Sequence, residues 1–149
     1  MNKKNKFGQN AEIIFATLSS EPNSEINDFE KIVDEILSVD NVVRHVAIID
    51  YDGNIMHKKI NENMKRLTSE MEDVAHAADL NIRKKMRKML DNSLGRTTFI
   101  HSIRERIHEL FFYTEYFQIY VTCLRNLDKQ SIMRISDAIE SIIRKRIPY

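Results

Sequence analysis

The sequence contains very little cysteine, no excess of charge of one sign and no long apolar run. Its single cysteine, Cys123, cannot form an internal disulfide, which excludes a fold stapled by disulfides. Its 23 lysines and arginines are balanced by 22 aspartates and glutamates, so the net charge of +1 gives the whole molecule little attraction to nucleic acid or to an acidic membrane. No stretch approaches the roughly 18 apolar residues of a membrane span. We therefore expect a cytoplasmic protein that makes no membrane contact.

The amino terminus has the basic start of a signal peptide but not the rest of one. Its apolar run is short and contains Glu12, and no small-residue cleavage site follows. We predict an arm over residues 1–24, either flexible or with a short helix at residues 11–18. The length of 149 residues suits one domain, which we place at residues 25–149.

The chain after the arm begins with a predicted helix and a hairpin. Apolar residues recur at spacings of three and four from Ser24 to Leu37, which indicates a helix with one buried face. Residues 43–51 predict a strand, and its centre, VAII, is apolar on both faces, as in a strand covered on both sides. Asp52 and Gly53 then predict a type I′ turn, which requires positive φ at both central residues. A second strand is predicted over residues 54–59.

The rest of the chain predicts a long helix, three strands and a closing helix. The long helix runs from Glu62 to about Asn92, and Gly95 follows it where chains commonly leave helices. Its apolar residues form one stripe, which is predicted to be packed: Met64, Leu67, Met71, Val74, Ala78, Ile82, Met86 and Met89 or Leu90. The strands are predicted at residues 97–104, 109–114 and 117–124, and their short connections favour antiparallel pairing. Asp128 caps a last helix that runs to about Ile147.

This order of elements resembles the roadblock/dynein light chain family, which has a profilin-like fold. The likeness covers residues 25–147 and is most specific in FEKIVDEILSVDNVVRHVAIIDYDGNIM, residues 29–56. The segment MLDNSLGRTTFIHSIRERI, residues 89–107, is similar to small uncharacterised archaeal members. The resemblance implies an α+β fold of order α-β-β-α-β-β-β-α. Its five-stranded antiparallel sheet would lie between helices, with helices 1 and 3 on one face and the long helix 2 on the other.

The same resemblance implies a function through protein contacts. Family members commonly dimerise through the second helix and the neighbouring strand, and many bind or regulate small GTPases or serve as scaffold subunits. No catalytic residue, cofactor or metal ligand can be carried over. We therefore expect a non-enzymatic module with no cofactor, which forms a homodimer and has a small GTPase or another protein as its partner.

The second helix has a charge pattern that favours a homodimer. Acidic residues lie in its first part and basic residues in its second part, as the helix dipole prefers. If two copies packed antiparallel about a twofold axis, the acidic half of each helix would lie along the basic half of the other. The alanines of the helix would permit the two helices to approach closely. The predicted interface residues are Met71, Ala75, Ala78, Asp79, Ile82, Arg83 and Met86.

An enzymatic alternative starts from VAIIDYDGNIM, residues 46–56. It resembles the first motif of haloacid dehalogenase-like phosphotransferases, in which Asp50 would attack phosphorus. That chemistry needs a parallel strand and a late pair of acids for magnesium. Asn54 replaces the usual threonine, and Asp128 and Asp137 belong to the last helix, so we favour the hairpin, with Asp52 and Gly53 as turn residues.

Two other functions remain open. A small-molecule sensor would need a pocket between the sheet and a helix, lined by convergent polar groups near His101, Tyr113 and Tyr120. A nucleic-acid binder would use the basic part of the second helix and the patch of Lys58, Lys59, Lys65 and Arg66, although nucleic acid is the less favoured partner. The histidines have no metal-ligand spacing, and Cys123 lies in an apolar strand, where an inert thiol is expected.

Overall fold

A computed structural model describes residues 24–147 of the chain. The predicted arm, with its short helix at residues 11–18, lies outside these residues. The sheet is antiparallel and has the strand order β2-β1-β5-β4-β3. The elements in chain order are α1 (Ser24–Leu37), β1 (Val43–Asp50), β2 (Ile55–Ile60), α2 (Glu70–Lys88), α3 (Asp91–Leu94), β3 (Phe99–Ile103), β4 (Ile107–Tyr113), β5 (Phe117–Leu124) and α4 (Lys129–Arg146). The predicted α+β fold is confirmed, and α3 is an addition to it.

The two faces of the sheet are covered by different helices. The larger core lies between the sheet and the pair α1 and α4, where Ile36, Phe112 and Ile139 are among the buried residues. The smaller core lies under α2, whose buried apolar side chains are Ala77 and Leu80. The prediction that the first and last long helices share one face is therefore correct, and α2 is the less deeply anchored helix.

The first strand lies in the middle of the sheet between two antiparallel neighbours. It pairs with β2 on one side and with β5 on the other. Asp50 ends this strand, and its Oδ1 accepts hydrogen bonds from the backbone N–H groups of Asp52 at 2.9 Å and Asn54 at 2.8 Å. A phosphotransferase aspartate follows a parallel strand, so the fold excludes that alternative. The Asp50 carboxylate organises the turn.

The turn between β1 and β2 differs from the predicted type. Gly53 has φ of +85°, but no non-glycine residue in the described chain, Asp52 included, has positive φ. The Gly53 N–H donates to the Asp50 carbonyl oxygen at 3.2 Å. The type I′ prediction is therefore wrong. The side chain of Asp50 supplies the acceptor that allows the turn to form with a single left-handed residue.

Helix α2 begins eight residues later than predicted, at Glu70 rather than Glu62. Ser69 is its N-cap: the hydroxyl accepts from the Glu72 N–H at 3.1 Å, and the Glu72 carboxylate accepts from the Ser69 N–H at 3.1 Å. This reciprocal capping box fixes the start of the helix. None of the helices between residues 24 and 147 combines the length and the apolar composition needed to cross a bilayer.

Candidate functional site

The outer face of α2 is an exposed apolar stripe. Its side chains follow the helical spacing of three and four, and the large ones are mostly in solvent: Met71 is 81% exposed, Val74 63%, Ile82 61% and Met86 63%. Ala75 and Ala78 are exposed between them. Isolated apolar residues on a surface are ordinary, but a contiguous apolar row on one helix is typical of an interaction surface.

The inner face of α2 carries few of the residues that the apolar pattern selected. The residues buried against the sheet are Ala77, Leu80 and Asn81, and Lys84 is half-buried one turn further on. The stripe predicted to be packed is thus not packed within one chain. The structure places all seven predicted interface residues on exposed positions of a single helix, and among them Asp79 accepts a hydrogen bond from Arg83 at 2.8 Å.

Ion pairs hold the amino-terminal half of α2 to the rest of the chain. Lys58 of β2 lies 2.5 Å from Glu70 and 2.9 Å from Asp73, and Arg66 lies 2.6 Å from each of the same two carboxylates. These bases lower the pKa of Glu70 through direct hydrogen bonds. Glu70 and Asp73, which were expected to face the basic half of a second copy, therefore already form ion pairs within the chain. Charge complementarity is a weaker reason for dimerisation than the sequence suggested.

A buried polar network lies on the sheet beneath α2. Glu109 is only 2% exposed, and its carboxylate accepts from the Tyr120 hydroxyl at 2.8 Å and from Arg104 Nε at 2.6 Å. His76 of α2 packs edge-on against the Tyr120 ring at 4.8 Å between centroids. Burial lowers the pKa of His76, and the nearby Glu109 charge opposes this. The network satisfies a buried carboxylate and positions α2 on the sheet.

The pocket predicted around His101, Tyr113 and Tyr120 does not form. His101 pairs with Leu110 in the sheet and its ring Nε2 lies 2.8 Å from His108 Nδ1, on the face covered by α4. Tyr113 and Tyr120 belong to the small core on the opposite face, under α2. Because side chains alternate along a strand, the sheet itself separates His101 from the two tyrosines.

The basic patch predicted to bind nucleic acid is largely neutralised. Lys58 and Arg66 form the ion pairs with Glu70 and Asp73, and Lys59 lies 2.7 Å from Asp34 of α1. A hollow of about 220 Å³ lies beside this patch and also contains His45, whose pKa is lowered by burial. Of the four predicted cations, only Lys65 has no ion pair within the described residues. The patch offers little free positive charge to a phosphate backbone.

The side chains most often used for thiol chemistry or for metal binding can be located in the structure. Cys123 is fully buried in β5, and burial raises the pKa of its thiol to about 12, so the thiol stays protonated near neutral pH. Among residues 24–147, no three His, Cys, Asp or Glu side chains are grouped in a way that could hold a metal ion.

Solved structures of two kinds share this fold at low sequence identity. A structure described as MglB with tetrameric arrangement matches with a TM-score of 0.62 and 13% identity, over 78% of this chain and 86% of that one. The gliding protein MglB from Thermus thermophilus matches with a TM-score of 0.59 and 15% identity, over 80% and 90% of the two chains. A Roadblock/LC7 domain from Streptomyces avermitilis matches with a TM-score of 0.55 and 8% identity, over 77% and 93%. These likenesses establish the roadblock-like fold that the sequence predicted.

Sequence comparison gives a family but no activity. The search of curated proteins finds no match. A family model described as a family of unknown function matches residues 21–143, which include nearly all of the described fold.

Proposed function

The chain belongs to DUF6659, a family of unknown function whose model covers most of its length. Because the family assigns no activity, we propose a function from the residues exposed on the surface of this chain. It is a non-enzymatic, dimeric protein-interaction and regulatory module that serves as a scaffold or as a regulator of a small GTPase. The observation that carries the proposal is the exposed apolar stripe of α2. An unpaired row of methionine, valine and isoleucine is costly in water and is stabilised when a second surface covers it.

A second copy of the chain is the occupant that fits the stripe best. If two α2 helices pack antiparallel with the twofold axis beside Ala78, Met71 of one copy meets Met86 of the other. Ala75 then meets Ile82, so that a small residue faces a large one. The stripe spans about 22 Å along the helix, at 1.5 Å per residue. This arrangement is isologous, which means that each copy contributes the same residues.

The dimer prediction is tested by one substitution in the stripe. We expect Ile82→Asp to weaken the dimer about thirtyfold or more, because it places a carboxylate within an apolar contact, and the loss of a hot-spot residue costs about 2 kcal/mol or more. Sedimentation equilibrium over a range of micromolar concentrations measures the association. Met133→Asp is the matched control, because Met133 is 51% exposed but lies on α4, on the far side of the sheet. A wild-type chain that stays monomeric throughout this range would contradict the prediction.

The partner prediction rests on the resemblance to the roadblock family and needs its own experiment. We expect the wild-type protein, used as bait in its native cytosol, to recover a small GTPase in an amount that depends on added nucleotide. Mass analysis of the captured proteins, with GDP or a non-hydrolysable GTP analogue present, measures this dependence. Recovery of the same proteins in the same amounts with either nucleotide, or of metabolite or nucleic acid alone, would count against a GTPase partner.

A further inference from the structure

A second hollow lies at the carboxyl end of α2, on the side of the helix that faces the sheet. It has a volume of about 220 Å³ and is lined by five parts of the chain: the last turns of α2, Asp91 of α3, the β1–β2 turn at Tyr51, the segment before β3, and the β4–β5 turn at Thr114. Its position is distinct from the outer stripe of the same helix. An occupant of this hollow would not compete with a second copy on the stripe.

The walls of this hollow have a large excess of positive charge. Five cationic side chains line it and only two carboxylates, Asp91 and Glu115, do so. The five are Lys84, Lys85, Arg87, Lys88 and Arg96. Of these, Lys84, Lys85, Arg87 and Arg96 have no ion pair with a carboxylate of the described chain. By contrast, the bases beside the other end of α2, Lys58 and Arg66, both form ion pairs with Glu70 and Asp73.

Lys84 is the residue that this imbalance affects most. Its ammonium group is half-buried and lies 3.4 Å from the carbonyl oxygen of Thr114, which is a long hydrogen bond, and 5.9 Å from the centroid of the Tyr113 ring. An ammonium group has three protons to donate, and these neighbours satisfy them poorly. Burial, together with the charges of Lys88 and Arg96, lowers its pKa to about 8. The folded chain thus holds a poorly solvated cation beside other cations.

The helix dipole explains only part of this arrangement. Cations are favoured in the last turn of a helix, which accounts for the exposed Lys85, Arg87 and Lys88. The dipole does not account for Lys84, which is turned inward toward the sheet, or for Arg96, which lies beyond α3 in the chain. A bound anion accounts for both, because it would supply the acceptors and the negative charge that the walls lack.

We propose that this hollow binds a compact phosphate-bearing small molecule with several negative charges, of the pyrophosphate class. The cations outnumber the carboxylates by three, which favours a multivalent anion. The volume is below the range of about 300–1,000 Å³ that is usual for drug-sized ligands. It suits one or two phosphate groups rather than a whole nucleic-acid strand. The interaction module would then have a ligand-binding site that is separate from its dimer interface.

Calorimetric titration with inorganic pyrophosphate at neutral pH and low salt tests this proposal. We expect Lys84→Met to weaken binding about tenfold or more, since a charge-assisted hydrogen bond is lost. Lys145→Met is the matched control, because it removes the same charge from an exposed position at the end of α4 and should leave the affinity within about twofold. Lys84→Met removes a half-buried charge, so we expect it to fold at least as stably as the wild type. Arg96→Gln provides a second variant from a different part of the wall.

Nuclear magnetic resonance of the Lys84 side chain supplies an independent measurement. An anion beside the ammonium group favours its charged form, so pyrophosphate should raise the pKa of Lys84 from about 8. Three outcomes would overturn the proposal: no binding to the wild type at millimolar pyrophosphate, equal losses in Lys84→Met and Lys145→Met, or an unchanged Lys84 pKa at saturation. Tighter binding of an oligonucleotide or a phosphopeptide than of pyrophosphate, lost in Lys84→Met, would also overturn it, because the ligand would then be a macromolecule.

Discussion

Gly53→Val is expected to lower the free energy of unfolding by about 4 kcal/mol. Two costs combine. A β-branched residue is held at φ of +85°, which costs about 1–3 kcal/mol. Its Cβ would also lie 3.0 Å from Cβ of Asn81 on α2, so the side chain overpacks the contact between the turn and the helix, at a further cost of about 1–3 kcal/mol. Urea unfolding followed by circular dichroism measures the loss.

Asp52→Val is the control for this experiment. It introduces the same side chain one position earlier, at an exposed residue without positive φ, and we expect a change within about 0.5 kcal/mol. If both variants lost the same stability, the cost would come from valine at either position of the turn and would not be specific to Gly53. The left-handed backbone and the close approach to Asn81 would then not be the reason for glycine.

Leu80→Ala is expected to cost about 3 kcal/mol, and the damage should be concentrated in α2. Leu80 is 4% exposed and is the only large apolar side chain that α2 contributes to the core beneath it. Truncation of a buried leucine costs about 2–5 kcal/mol, since it removes apolar contact and leaves a cavity. Hydrogen exchange should show faster opening of residues 70–88 than of β1 and β5.

Leu94→Ala makes the same chemical change at a residue that is 78% exposed on α3. We expect it to change the free energy of unfolding by no more than about 0.5 kcal/mol. Uniformly faster exchange across the whole sheet in Leu80→Ala would contradict the view that α2 is a separately anchored layer.

The fold could be predicted from the sequence because its signals are strong and local. Both faces of the strands are apolar, Asp128 caps the last helix, and the short connections require antiparallel pairing. The start of α2 was missed although Ser69 and Glu72 have the spacing of a capping box. The periodic residues Met64 and Leu67 extend the helical pattern upstream of the true start. The pattern does not show that Arg66 lies before the helix, where it pairs with Glu70 and Asp73.

The faces of α2 could not be assigned from the sequence. Periodicity finds the most apolar face of a helix, and in α2 that face points outward. Apart from Leu80, the inward face has small or polar residues, Ala77, Asn81 and Lys84, and it lies over a small core, a polar network and a hollow. The basic hollow was missed for a related reason. Tyr51, Lys84 and Arg96 are far apart in the sequence, and only the packed hairpin and helix bring them together.

The central position of β1 has a consequence for how the chain folds. β1 meets β2 across a short turn, and β3, β4 and β5 meet across short turns of their own, so these two groups of strands can form from local contacts. The pairing of β1 with β5, for example Val46 with Val121, must close a loop that contains both edge strands and α2. Closing a long loop costs entropy before any contact compensates for it. We therefore infer that the pairing of β1 with β5, which joins the two groups of strands, is the late, rate-limiting step.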